Sequence, residues 1–126
     1  MEVKTSTKEK FTVITVNSDH LTVNMTEGLC RQILPFLQQQ PKNIVLKLSG
    51  IKSIEEEGAE TLAKTQQQFY EGGASFVICE LEPELEAILD SQDLLELLNV
   101  TPTESEAWDI VQMEEIEREL LGGEDE

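Results

Sequence analysis

A chain of 126 residues is enough for one domain, and folding at that size buries roughly two-thirds of the surface of the unfolded chain. Its hydrophobic fraction of 39% suits a globular fold, but nine basic against 26 acidic residues leave a net charge of −17. That charge excludes nucleic acid and anionic membrane surfaces as partners and favours neutral or basic proteins.

The first element legible in the chain is FTVITV, Phe11 to Val16, a β-branched segment apolar on both faces and therefore a strand. EVKTS upstream is its hairpin partner across Thr7-Lys8-Glu9. After a polar connection through Asn17, Asp19 and His20, Thr26 is placed to cap a helix carrying Leu29, Ile33, Phe36 and Leu37. Pro35 kinks or divides that helix, and Pro41 ends it. NIVLKLS, Asn43 to Ser49, is a short apolar run suited to a central strand buried on both faces. Ala59, Leu62, Ala63, Gln66, Phe69 and Tyr70 then follow the helical rule, up to a stop at Gly72-Gly73.

SFVICEL is the next strand, and Pro83 opens a helix with Leu85, Ile88 and Leu89 on its buried side. DLLELL, Asp93 to Leu98, is expected to be a further short helical piece. Thr103 and Glu106 have capping-box spacing, and Trp108, Val111, Ile116 and Leu120 give a final amphipathic helix whose Trp108, Val111 and Ile116 are expected to pack inward. The acidic run from Glu114 to Glu126 reads as a solvated, solubilising face, with a docking role for the tail as the alternative. Strands alternating with helices after a hairpin indicate an α/β domain with a mixed sheet, here placed at residues 1–121, followed by a disordered acidic tail at 122–126.

Catalytic chemistry is scarce. The lone histidine, His20, lies in a polar loop with no motif around it, and reads as a surface residue. Gly72-Gly73 follows a helix instead of opening one, so it is not a phosphate loop. Glu55-Glu56-Glu57 are contiguous and lack the alternation of a calcium loop. Cys30 and Cys79 have neither metal-ligand nor redox spacing and are expected to be buried thiols. No enzyme activity, metal or cofactor is expected. No apolar run approaches the ~20 residues of a membrane span. MEVKTSTKEK lacks the apolar centre of a signal peptide, so a cytoplasmic location is expected.

One junction concentrates charge: three glutamates stand where a strand gives way to a helix, in SIEEEGAETL. Carboxylates there are favourable, because first-turn amides lack internal partners and carry partial positive charge. Helix electrostatics accounts for one or two of them. It leaves open why the third precedes Gly58, whose missing side chain exposes backbone to a partner.

NIVLKLSGIKSI, EEEG, AETLAKTQQQFYEGG, ASFVICEL and PELEAILDSQDLLELL, in that order over about residues 10 to 120, resemble the STAS domains, which include the bacterial anti-sigma factor antagonists. The resemblance implies a single-domain fold with a mixed sheet of about four to five strands and about four to five helices. Where the family has Asp-Ser-Ser-Gly, this chain has Glu55, Glu56, Glu57 and Gly58. Glu57 stands at the serine that a partner kinase phosphorylates, and at −1 it only partly imitates a phosphoserine. Lys47 stands where an acid is common in the strand before the motif.

The resemblance implies a protein-protein interaction module in partner switching, a form of transcription regulation. Its partner would be an anti-sigma factor of the serine kinase type, and its partner-binding residues Ser53, Glu55, Glu56, Glu57, Gly58 and Thr61. The alternative it implies is an accessory STAS subunit of a transporter ATPase, or a scaffold without a switching role. Neither involves nucleic acid or membrane insertion.

Overall fold

The computed structural model describes the backbone of residues 1–124 and the side chains as far as Leu121. In chain order the elements are β1 (Glu2–Thr7), β2 (Phe11–Asn17), β3 (His20–Leu21), α1 (Val23–Ile33), β4 (Asn43–Lys47), β5 (Ser53–Ile54), α2 (Glu56–Glu71), β6 (Phe76–Cys79), α3 (Pro83–Ser91), β7 (Val100–Thr101) and α4 (Glu104–Glu124). Five strands form one mixed sheet in the order β1-β2-β4-β6-β7. The β1–β2 pair is the antiparallel hairpin read from EVKTS, with Val3 opposite Val16, and the remaining pairs are parallel. Strands β3 and β5 form a separate parallel pair.

Alternation along the central strands sends side chains into two apolar layers. Ile14, Val16, Ile44, Leu46, Phe76 and Ile78 face one way, against Leu29 and Ile33 of α1, Leu62 and Phe69 of α2, and Leu85 and Leu89 of α3. Phe11, Val13, Val45, Val77 and Cys79 face the other way, against Ala107 and Val111 of α4. Strand β4 is buried on both sides because helices cover both faces of a largely parallel sheet. Both cysteines are free and buried, as expected, and burial pushes the Cys79 thiol up to about 12.

Several local expectations change. The cap of α1 is Thr22, whose hydroxyl accepts from the Met25 N–H at 3.1 Å; Thr26 lies inside the helix, and its hydroxyl donates back to the Thr22 carbonyl. Pro35 divides the segment as expected, leaving a separate 3-10 turn, Leu34–Gln38, because its ring cannot continue the helix. Asp93–Leu98 forms turns in place of a helix, its Asp93, Leu94 and Leu98 N–H groups donating to the carbonyls of Asp90, Leu89 and Leu94, and it delivers the chain to β7.

Thr103 does cap α4, its hydroxyl accepting from the Glu106 N–H at 3.2 Å. The inner face of that helix, however, is Ala107 and Val111, while Trp108, Ile116 and Leu120 are 38%, 57% and 67% exposed. Trp108 rests against Phe11 at the rim of the layer, with ring centroids 5.1 Å apart. The backbone of α4 continues to Glu124, into the segment expected to be a tail, and residues 125–126 lie outside those described.

Candidate functional site

Beyond the C-terminal end of β4 the chain turns at Gly50, whose φ of +90° suits a residue without a side chain. Ile51 and Ile54 are buried and anchor the next segment. Strand β5 then pairs with β3, matching His20 to Ser53 and Leu21 to Ile54. The Glu55 N–H continues this ladder to the Leu21 carbonyl at 3.0 Å. The three glutamates are thereby brought beside the start of α1.

Glu55 occupies the N-cap position of α2 in an extended conformation, yet its side chain makes no cap bond there. Its carboxylate Oε1 instead accepts from the N–H of Val23, the first residue of α1, at 2.6 Å. One acid thus satisfies an orphan amide of the neighbouring helix and ties the two helix starts together. Glu56 and Glu57 lie in the first turn of α2, at the positive end of its dipole. Both are exposed, and among the described residues neither carboxylate has a hydrogen-bond or ion-pair partner. Glu60, one turn further on, extends the acidic surface.

Gly58 works differently from its sequence reading. Its residue is buried, and a Cβ there meets the Thr26 hydroxyl oxygen at 2.8 Å and the Thr26 Cβ at 3.2 Å. The missing side chain admits α1 against α2, so the glycine positions the acidic turn instead of offering backbone to a partner. The Thr61 hydroxyl donates to the Glu57 carbonyl at 2.9 Å and is half-buried. Lys47 projects to the opposite side of the sheet, where it pairs with Glu104 at 3.2 Å and Glu80 at 3.7 Å. The bond to Glu104 outweighs burial and holds its ammonium pKa above the ordinary lysine value.

The sequence reads His20 as a surface residue. It is exposed, but its Nδ1 lies 2.6 Å from the Ser53 Oγ across the β3–β5 pair. Only long-range strand pairing makes this contact, and nothing in the spacing of the two residues signals it. Among the described residues no carboxylate contacts the imidazole, and no group of three or more His, Cys, Asp or Glu side chains is placed to hold a metal ion. The site offers an acidic, solvent-facing helix start with a rigid base.

The chain matches the family described as STAS domain over residues 2–107. Its fold is shared with an anti-sigma-factor antagonist (STAS) domain protein of Planctomyces limnophilus, at 19% identity and a TM-score of 0.74, covering 87% of this chain and 97% of that one. A serine-to-glutamate variant of RsbS from Moorella thermoacetica matches at 15% identity and a TM-score of 0.72, covering 89% and 96%. The murine anion transporter Slc26a9 contains the fold as well, at 15% identity and a TM-score of 0.70, over 86% of this chain but 18% of the transporter. A search of curated proteins gave no match.

Proposed function

The chain belongs to the STAS domain family, and from that premise we propose that it is a non-catalytic, cytoplasmic interaction module of the anti-sigma factor antagonist kind, with Glu57 at the position of the phosphorylated serine. The observation that carries this reading is the unequal use of three adjacent acids. Glu55 is consumed by the Val23 amide, whereas Glu56 and Glu57 are held in a fixed turn with their carboxylates unengaged. A fixed pair of free carboxylates suits a basic surface on a partner of the serine kinase type, because such charges steer encounter and set specificity.

Glu57 cannot accept a phosphoryl group as a serine does, so the module is set in one state. Its single charge stands in place of the −1.5 to −2 of a phosphoserine. The likeness to an RsbS variant with glutamate in place of serine supports the compatibility of that residue type with the fold. The presence of the same fold within an anion transporter supports a transporter-linked second reading, to which we give the form of an accessory subunit of a transporter ATPase, in which residue 57 has no switching role.

Both readings are tested by affinity capture from the source organism with wild type, Glu57→Ser and Glu57→Lys as baits, the captured proteins being identified by mass spectrometry. The expected result is a kinase-fold anti-sigma factor whose recovery changes with residue 57. Recovery of a transporter ATPase, or of the same partners by all three baits, overturns the switching reading.

A further inference from the structure

Helix α4 carries a second apolar surface in addition to the one that packs on the sheet. An α-helix advances about 100° per residue, which places Met113, Ile116 and Leu120 within about 60° of arc and on the side opposite Ala107 and Val111. These three are 55%, 57% and 67% exposed. Their spacing of three and then four residues is that of a coiled-coil seam. The family match ends at residue 107, so the stripe lies outside it, on the far side of the sheet from α1 and α2.

The charges around the stripe select its occupant. Asp109 stands one turn before Met113, and Glu117 and Glu119 border the stripe on either side, all three exposed. The helix has a single base, Arg118, and it is turned inward, donating to the Ser75 Oγ at 3.2 Å and the Asn43 Oδ1 at 3.3 Å. A second copy of the chain brings the same acids against one another. An anionic lipid surface is repelled for the same electrostatic reason.

We propose that the outer face of α4, centred on Met113, Ile116 and Leu120, docks a basic amphipathic helix of a partner protein, whose apolar residues meet the stripe while its flanking Lys or Arg side chains meet Asp109, Glu117 and Glu119. The surface is separate from the acidic turn at Glu57, so the module has two binding faces, and this one does not depend on the state of residue 57.

The test uses the full chain and calorimetric titration with a synthetic helical peptide bearing a leucine seam flanked by lysines, beside a peptide of the same composition permuted to have no apolar face. The seam peptide is expected to bind, the permuted one to bind at least about tenfold more weakly, and Ile116→Glu to weaken the seam peptide by about tenfold. Thermal unfolding of Ile116→Glu is expected to match wild type, because the side chain is exposed; Met113→Gln is a milder variant that weakens the peptide in the same direction. Equal binding of the two peptides overturns the proposal, as does binding unaffected by both substitutions. A wild-type dimer in sedimentation that Ile116→Glu dissociates also overturns it, in favour of a second copy.

Discussion

Asn43, at the N-terminal end of β4, and Glu57, past its C-terminal end, are both polar residues at a strand-helix boundary, and the fold uses them in opposite ways. The Asn43 amide is 4% exposed and fully engaged: its Nδ2 donates to the Lys10 carbonyl at 2.9 Å and to the Glu115 Oε1 at 3.1 Å. Its Oδ1 accepts from the Ser75 N–H at 2.8 Å and from Arg118 at 3.3 Å. This network ties β2, β4, the entry to β6 and α4 at one end of the sheet. At the other end Glu56 and Glu57 are exposed and tie nothing. Polar groups that are buried and mutually satisfied specify the fold, whereas exposed ones next to a rigid frame remain available to a partner.

The comparison is broken most directly at its buried side. Asn43→Ala leaves the Ser75 amide and the Lys10 carbonyl without the side-chain partner they have here and removes one of the two contacts of Arg118, and is expected to cost about 2–4 kcal/mol. Urea denaturation followed by circular dichroism measures the loss. A cost under about 1 kcal/mol means that water replaces the amide, and that the network is not what closes this end of the sheet.

Next in size is Gly58→Ala, which tests the frame under the acidic turn. The added Cβ meets the Thr26 hydroxyl at 2.8 Å and the Thr26 Cβ at 3.2 Å, a contact that requires the Thr26 side chain or the two helices to shift. Overpacking of that kind costs about 1–3 kcal/mol, against which alanine returns up to about 1 kcal/mol of helix propensity. A net loss of up to about 2 kcal/mol is expected. In a Thr26→Ala background the clash with the hydroxyl is gone, so the same substitution is expected to cost less; equal costs in both backgrounds show that the two residues do not couple.

How far the sequence revealed these two ends follows from the range of the interactions. Strands β2, β4 and β6 and helices α2 and α3 are legible because each is recorded in a continuous stretch of its own residues, as an apolar run in the strands and as a periodic apolar face in the helices. The acidic turn was legible for the same reason, since EEEG lies in one continuous stretch. The two-residue strands β3, β5 and β7 have no period to read. Their pairing comes from Leu21, Ile54 and Thr101 being drawn under the helices. The Glu55–Val23 bond and the His20–Ser53 contact join residues 32 and 33 apart, so no local pattern records them. Arg118, read as one base in an acidic tail, is instead a link in the Asn43 network, because helical rotation turns it inward beside Val111. The same rotation explains the opposite error at Ile116 and Leu120, which continue the apolar count of α4 on its other side.

A third substitution separates Glu55 from its two neighbours. Glu55→Ala removes the acceptor of the Val23 amide and is expected to cost about 1 kcal/mol, the usual value of a lost cap. Glu55→Gln keeps an acceptor but not the charge, and is expected to cost about half as much. Amide hydrogen exchange at Val23 gives a local reading, with faster exchange expected in the alanine variant. If Glu55→Ala is silent in both measurements, the first glutamate belongs with the exposed pair and the division of labour within the triplet fails.

The smallest expected effect on stability is that of Glu57→Ala, and its smallness is the point. Removing the carboxylate from the first turn of α2 forfeits about 0.3–1 kcal/mol of favourable interaction with the helix dipole. Alanine is at the same time the better helix former, by a few tenths of a kcal/mol. With no partner to lose, Glu57 leaves no other stabilising contact behind, so the two effects largely cancel and the variant is expected within about 0.5 kcal/mol of wild type. Against that near-constant stability, a several-fold change in partner capture belongs to recognition alone. A stability loss above 1 kcal/mol instead places Glu57 with Asn43, as a residue that the fold requires.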